Sequence, residues 1–119
     1  MKGDLVMDVV KLPYKTIIYI PLKDGHNKAL SQIAIDILLE ECLKQLISLG
    51  HGATVIDGMG YWEEQLSGAI TSSKTKLIIC YVADIKKAEV LILKLALWVK
   101  ETTDSEAICF EINNCLYIV

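Results

Sequence analysis

A glycine-punctuated segment near the middle of the chain has the residue types and spacing that could bind a ligand. It reads Asp57-Gly58-Met59-Gly60 and follows a β-branched run. Glycines at a strand end permit positive φ or close backbone approach, so the segment is typical either of a bulge that bends a hairpin or of a backbone that faces a ligand. In the second case its exposed N–H groups would donate to an anion, with Lys74 or Lys76 opposite. The ligand site that we predict comprises Asp57, Gly58, Met59, Gly60, Lys74 and Lys76.

An aromatic pair beside two acids follows directly, in the segment Tyr61-Trp62-Glu63-Glu64. Aromatic side chains at a hairpin tip are typical interface anchors, so Tyr61 and Trp62 are predicted to contact another molecule. A general acid–base pair would need both carboxylates in one water-poor cleft, whereas adjacent strand residues point to opposite faces. We therefore interpret Glu63 and Glu64 as solvent-facing acids, and the pattern predicts no catalytic residue.

The two histidines are predicted to lie at opposite ends of the first helix, so they cannot share a metal ion within one subunit. His51 falls where the helix stops and is interpreted as a cap that complements the helix dipole. His26 lies in a turn with Lys23 and Lys28, where it would contact an anion or simply face solvent. No metal site is predicted, and the identity of any cofactor stays open because Walker, GxGxxG and HExxH motifs are absent from the sequence.

The four cysteines have no CxxC spacing and stand among apolar neighbours, which is typical of buried thiols in a reducing compartment. Cys109 and Cys115 flank the last hairpin, where Asn113-Asn114 is a good two-residue type I′ turn. With that turn, Cys115 pairs with Ile112 and Cys109 with Ile118, and the alternation of side chains places the two thiols on opposite faces. A disulfide between them is therefore not expected.

The elements that must position these residues alternate between strand and helix periodicity. Strands are predicted over residues 16–22, 53–62, 69–82, 106–112 and 115–119, and helices over residues 28–49 and 84–101. The order, β-α-β-β-α-β with a C-terminal hairpin strand, predicts an α+β ferredoxin-like plait with both helices on one face of an antiparallel sheet. Residues 1–15 are interpreted as an N-terminal arm or an extra edge strand, and residues 16–119 as a single ferredoxin-like domain.

Both helices carry more apolar residues than one sheet can cover. In the first helix, polar residues recur every four positions and leave most of the circumference apolar. They are Gln32, Asp36, Glu40, Lys44 and Ser48. The chain is 53% hydrophobic, with a mean hydropathy of +0.41 and 23% charged residues. Such a chain must cover part of its apolar surface, so we predict a homo-oligomer, dimer or trimer, with packing between sheets as the natural contact.

Charge and hydropathy argue against two broad classes of partner. The net charge is −3, the pI is near 5.3, and all 12 basic residues are lysines. Without arginine the chain lacks the planar guanidinium group that makes bidentate hydrogen bonds to phosphates and guanine edges, which argues against nucleic-acid binding. Lys94 interrupts the longest apolar run before it could span a bilayer, and Asp4 and Asp8 do not suit a signal peptide. We therefore expect a cytoplasmic protein that binds neither nucleic acid nor membrane.

Several short motifs resemble the PII-like branch of the ferredoxin-like proteins. They are Lys28-Ala29-Leu30 at the start of the first helix, Gly52-Ala53-Thr54-Val55-Ile56-Asp57-Gly58, Gly60-Tyr61, and an apolar strand from Leu77 that ends in Ala83-Asp84. The resemblance spans residues 16–119 in topology. It implies a trimer whose inter-subunit cleft binds a nucleotide or another small effector around Gly58, Met59 and Gly60. It also implies a protein that regulates partners rather than catalysing a reaction.

Three functions stay open at this point. The residues and the resemblance favour a small regulatory oligomer of PII-like type that binds a small-molecule effector and is not an enzyme. A protein-interaction module would instead dock a protein partner through the Tyr61/Trp62 hairpin tip. A small dimeric α/β-barrel enzyme would hold an apolar substrate between sheet and helices, with His26 or Glu63 as its acid–base group.

Overall fold

The computed structural model describes residues 4–6 and 9–119 and contains one large sheet with helices on one side. In those ranges the elements are β1 (Asp4–Val6), β2 (Val9–Lys11), β3 (Tyr14–Pro21), α1 (Gln32–Gly50), β4 (Thr54–Glu63), β5 (Ile70–Val82), α2 (Ile85–Thr103), β6 (Cys109–Ile112) and β7 (Cys115–Ile118). The large sheet is antiparallel and has the order β4-β5-β3-β6-β7. The chain therefore has the α+β, ferredoxin-like arrangement that the order of its elements predicts.

Two short strands before the large sheet form a small sheet of their own. β1 and β2 pair with each other, from Asp4 opposite Lys11 to Val6 opposite Val9, in a separate two-stranded sheet. Residues 1–3 and 7–8 of the predicted arm or edge strand lie outside the described residues. The division of the chain into an arm at 1–15 and a domain at 16–119 stays a prediction.

Side-chain hydrogen bonds decide where α1 begins. Asp24 Oδ1 accepts from the amides of His26 and Lys28, at 2.8 and 3.0 Å, and holds this segment in a turn. The helix then starts with Ser31 as its N-cap, because the Ser31 Oγ accepts from the Ala34 amide at 3.1 Å. The predicted start at residue 28 is therefore wrong by one helical turn.

The other helix ends lie within two residues of their predicted positions. His51 closes α1 in the left-handed conformation, with φ at 66° and its amide donating to the Ile47 carbonyl. Asp84 opens α2, its Oδ1 accepting from the Lys87 amide at 3.1 Å, and the left-handed Asp104 closes it. Within residues 4–6 and 9–119, neither helix combines the length and apolarity that a bilayer crossing requires.

The helices cover one face of the sheet, which we call the covered face. Its central side chains are at most 1% exposed, and they are Thr16, Ile18, Ile20, Ile78, Cys80 and Val82. Leu38 and Leu46 of α1 and Ile92 of α2 belong to the same buried cluster. The hydroxyl of Thr16 donates to the Cys80 carbonyl at 2.8 Å, so this buried polar group is satisfied.

The opposite face of the same strands is not covered by either helix, and we call it the open face. Its members by strand register are Lys15, Ile17, Tyr19, Ile56, Leu77, Ile79, Tyr81, Cys109, Glu111, Leu116 and Ile118. Ile17 at the centre is 7% exposed, whereas Leu116 and Ile118 at the edge are 57% and 66% exposed. The predicted excess of apolar surface is therefore present. The open face carries part of it, and exposed side chains of both helices, such as Ile33 and Val90, carry another part.

The last hairpin has the predicted register. Asn113 and Asn114 both have positive φ, as a type I′ turn requires. Cys109 pairs with Ile118 and Ile112 with Cys115, so the two thiols lie on opposite faces of the sheet. All four cysteines belong to the described residues, and all four are free thiols.

Candidate functional site

A groove between the start of α1 and the β4–β5 hairpin contains most of the predicted ligand site. It encloses about 580 Å³, and its lining is Leu22, Gln32, Ile35, Asp57, Gly58, Met59, Lys74, Thr75 and Lys76. We call it the hairpin groove. Five of the six predicted residues line it, and the sixth, Gly60, pairs with Ser73 one step farther along the hairpin. The structure therefore brings residues 57–59 together with both lysines.

The strand register explains why these residues meet. Asp57 lies directly opposite Lys76, and Met59 lies opposite Lys74, so all four side chains share one face of the hairpin. The Lys76 Nζ is 2.6 Å from the Asp57 Oδ1, which neutralises that lysine within the chain. Lys74 is exposed and makes no salt bridge with any other described residue. Lys74 is therefore the ammonium group that the groove can offer to an anion.

The amino-terminal end of α1 adds a second source of positive potential. Gln32 opens the helix and lines the groove, and Ile35 follows one turn later as part of its apolar floor. The first amides of a helix have no intrahelical acceptor, and the helix dipole places partial positive charge there. The first turn, which is described throughout, contains no acidic residue. The nearest acid on the helix is Asp36, whose Oδ1 accepts from Gln32 Nε2 at 2.8 Å.

The two glycines of the site act by allowing close approach rather than by unusual torsion. β4 and β5 pair without interruption from Thr54 to Glu63, and neither Gly58 nor Gly60 has positive φ. The bulge, one of the two alternatives that the glycines allowed, is therefore not present in this hairpin. A Cβ at Gly58 would lie 3.0 Å from Leu77 Cδ1, so glycine lets Leu77 pack against the β4 backbone.

A second groove, of about 490 Å³, lies between the two helices and has a different character. Trp98 and Leu91 form part of its lining together with Glu40, Glu41 and Lys94. Glu40 and Glu41 are balanced there by Lys44 and Lys94, so this groove has no excess of positive charge, whereas the hairpin groove has two lysines and one acid. The hairpin groove is therefore the better candidate for the small ligand that the sequence predicts.

The hairpin tip carries the predicted interface aromatics in exposed positions. Tyr61 is 70% and Trp62 is 50% exposed, and Leu66 in the turn is fully exposed. Successive strand residues point to opposite faces, so the two aromatic rings cannot contact the same flat partner surface. The backbone amide of Glu64 is hydrogen-bonded within the turn, where it donates to the Ala69 carbonyl at 2.9 Å. The tip therefore presents apolar side chains on both of its faces.

The turn that contains His26 docks on the end of α2. His26 Nε2 lies 3.0 Å from Asp104 Oδ2, so the ring already has an acidic partner within the chain. Backbone N–H groups of Lys28 and His26 donate to Asp24 and lower the pKa of its carboxyl. The described residues contain no group of three side chains placed to hold a metal ion. Through the contact of His26 with Asp104, the turn after β3 is attached to the end of α2.

Sequence reasoning missed one polar pair, formed by Tyr19 and Glu111 on the open face. The Tyr19 hydroxyl donates to the Glu111 carboxylate across β3 and β6. Burial and then the neighbouring carboxylate raise the pKa of Tyr19 from 10.0 to about 12. The two residues lie 92 positions apart, and the sequence gives no signal for the pairing of β3 with β6 beyond the general topology.

Comparison with known proteins shows the fold but not a family. No known protein family and no curated protein matches the chain. A phage SAM lyase in complex with S-methyl-5′-thioadenosine is similar in structure, with a TM-score of 0.70, 15% identity, and coverage of 98% of this chain and 95% of that one. The periplasmic divalent cation tolerance protein CutA from Archaeoglobus fulgidus has a TM-score of 0.51 at 13% identity and covers 83% of this chain and 79% of its own.

A Bacillus cereus protein related to NIF3 gives the same TM-score of 0.51 at 15% identity, over 84% of this chain but 24% of its own length. At these identities the likeness shows a shared arrangement of helices and strands. The ferredoxin-like fold is therefore found in solved proteins of different function, and the function of this chain must be argued from its own residues.

Proposed function

We propose that the protein is a cytoplasmic homo-oligomer of PII-like type that binds a small anionic effector, of the nucleotide class, in the hairpin groove. The observation that carries this proposal is the convergence of Lys74 and the amino-terminal turn of α1 on one groove. Phosphate groups bind readily at helix amino termini, and an unpaired lysine adds a full charge. Ile35 and Met59 give the same groove an apolar wall for the uncharged part of such a ligand.

In this proposal a protein partner recognises the ligand-bound form, and the ligand is not converted to a product. Tyr61, Trp62 and Leu66 project at the far end of the hairpin whose base forms the groove. A ligand that orders the base of the hairpin would also restrict the tip. The exposed aromatic side chains there are the type that anchors protein interfaces.

The test is ligand-dependent stabilisation, measured by thermal unfolding with ATP, ADP and S-methyl-5′-thioadenosine in turn. A ligand at one hundred times its Kd stabilises a protein by about 2.7 kcal/mol. Lys74→Ala should weaken nucleotide binding about tenfold or more, because a hydrogen bond to a charged group contributes about 1.5–3 kcal/mol. The matched control is Lys86→Ala, an exposed lysine on α2 and outside the groove. Absence of stabilisation by either nucleotide at millimolar concentration would overturn the proposal.

A second candidate is lyase activity on S-adenosylmethionine. It is favoured by the phage SAM lyase, whose fold matches almost the whole length of both chains. Incubation of the protein with S-adenosylmethionine, followed by chromatography for S-methyl-5′-thioadenosine, separates the two candidates. Formation of product above a no-protein control would make the chain an enzyme. Binding of a nucleotide with no turnover would leave the regulatory function.

A further inference from the structure

The open face is built to be covered by another molecule. Ile17 at its centre is buried and Ile79 and Leu77 beside it are half-buried. Ile118 and Leu116 at the edge are more than half exposed. Ile56 and Tyr81, at 44% and 47%, extend the apolar surface toward the opposite edge and one end. Contiguous apolar surface of this kind on a soluble chain marks an interaction site.

Two charged residues interrupt this apolar surface within the fully described strands β3 to β7. They are Lys15 and Glu111, and Ile17 lies between the position of Lys15 and that of Tyr19 along β3. Glu111 is directly opposite Ile17 and accepts from the Tyr19 hydroxyl. The carboxylate is therefore directed toward Tyr19 and away from Lys15. Lys15 makes no salt bridge within the described ranges.

The same face thus presents one cation without an anion and one carboxylate held by a single neutral donor. Covering this face would desolvate both groups, and a buried carboxylate without a counter-charge is strongly destabilising. A second copy whose open face is turned toward the first offers a carboxylate to Lys15 and an ammonium group to Glu111. An unrelated partner would have to supply both charges at matching positions.

We propose that the open faces of two copies pack together and that Lys15 of one copy forms an ion pair with Glu111 of the other. Tyr19 then acts as a positioning residue that holds the Glu111 carboxylate at the correct orientation. The inference rests on the homo-oligomer of the proposed function, but it does not depend on the ligand of the hairpin groove. The open face and this charge pair specify the orientation in which two copies meet.

The experiment uses charge reversal and mixing, with native mass spectrometry as the readout of assembly. Lys15→Glu alone and Glu111→Lys alone each place like charges across the interface, which should raise the dissociation constant of the assembly about tenfold or more. Mixing the two variants places the glutamate introduced at position 15 against the lysine introduced at position 111. Mixed assemblies should then form in preference to assemblies of either variant alone.

Matched controls separate this pair from a general effect of charge. Lys86→Glu on α2 and Glu106→Lys before β6 make the same changes at exposed positions off the open face, and they should leave assembly unchanged. Far-UV circular dichroism of each variant reports whether the chain still folds. Glu111→Gln, which keeps the acceptor for Tyr19 but removes the charge, should weaken assembly less than Glu111→Lys.

Three results would overturn the inference. They are a monomeric wild-type protein, assembly that is unchanged by either charge reversal, and folded variants that dissociate but are not rescued by mixing. None of these depends on nucleotide binding, which is measured by Lys74→Ala in the hairpin groove. A failure of the ligand proposal and a failure of this interface are therefore distinguishable.

Discussion

The two faces of the central sheet carry similarly apolar side chains but have different environments. Along β3, Ile18 and Ile20 on the covered face are completely buried, whereas Tyr19 between them remains partly exposed on the open face. The helices account for the first environment. Residues that alternate along this strand are thus similarly apolar, although the helices cover only one of the two faces. A strand that is apolar at consecutive positions indicates that both faces will be covered, and it does not say by what.

The largest expected effect comes from removing side-chain volume from the covered face. Ile18→Ala should lower the free energy of unfolding by about 2–5 kcal/mol, because it leaves a cavity in a packed core. Ile118→Ala removes the same atoms from a side chain that is 66% exposed, and it should change the stability of the monomer by about 0.5 kcal/mol or less. Urea unfolding at low protein concentration measures both.

Repeating the urea experiment at high protein concentration tests whether a second copy covers the open face. If the open face becomes covered by a second copy, Ile118→Ala should become more costly as concentration rises, while the cost of Ile18→Ala stays constant. Equal and concentration-independent costs for the two variants would contradict the distinction between the faces.

A smaller loss is expected where α1 meets the sheet at Gly50. A Cβ there would lie 2.4 Å from Cys80 Sγ and 2.6 Å from the Tyr81 carbonyl oxygen, so Gly50→Ala forces the helix away from β5. Overpacking of this kind costs about 1–3 kcal/mol. Gly52→Ala is the matched control, because a Cβ at Gly52 meets no atom within 4 Å. A Gly50→Ala protein as stable as the Gly52→Ala protein would show that the helix end can move freely.

The local part of the fold could be predicted from the sequence because it depends on neighbouring residues. The helix boundaries at His51 and Asp84 and the turn at Asn113-Asn114 follow from side chains and torsions within a few positions. Predicting the β4–β5 hairpin was also enough to bring Asp57 and Lys76 together, since a hairpin sets its own register.

The parts that could not be predicted depend on contacts between distant segments or on one competing hydrogen bond. The pairing of Tyr19 with Glu111 needs the register of β3 against β6, which no turn specifies. The contribution of Gln32 to the hairpin groove depends on how α1 lies on the sheet. The late start of α1 results from Asp24, whose bonds to two amides compete with the helix.

Thiol labelling compares the two faces without changing the sequence. Cys42 and Cys80 on the covered side are at most 1% exposed, and burial raises the pKa of Cys42 to about 12, so both should react after unfolding. Cys115 is exposed and should react first. Cys109 lies half-buried on the open face, where burial raises its pKa. Its labelling by iodoacetamide, followed by peptide mass spectrometry, should slow severalfold as rising protein concentration drives assembly. A rate for Cys109 that does not depend on concentration would exclude the open face as the contact.

The smallest expected effect is a loss of folding stability at alkaline pH that is due to Tyr19. The pKa of Tyr19 is raised from 10.0 to about 12 in the folded chain, first by burial and then by its hydrogen bond to Glu111. Below pH 10 the phenol is neutral in both states, and its contribution to stability is complete. Between pH 10 and 12 the unfolded chain releases this proton while the folded chain retains it, so stability falls as pH rises.

Other tyrosines and lysines titrate in the same range, and the informative quantity is therefore the difference in stability between the wild type and Tyr19→Phe. The variant should lose about 1 kcal/mol at neutral pH with its hydrogen bond and should lose less than the wild type above pH 10. Tyr61→Phe, at an exposed position on the hairpin tip, is the control that should keep the wild-type slope. Parallel stability curves for Tyr19→Phe and the wild type up to pH 12 would show that Tyr19 ionises freely and that the Glu111 carboxylate is not held by it.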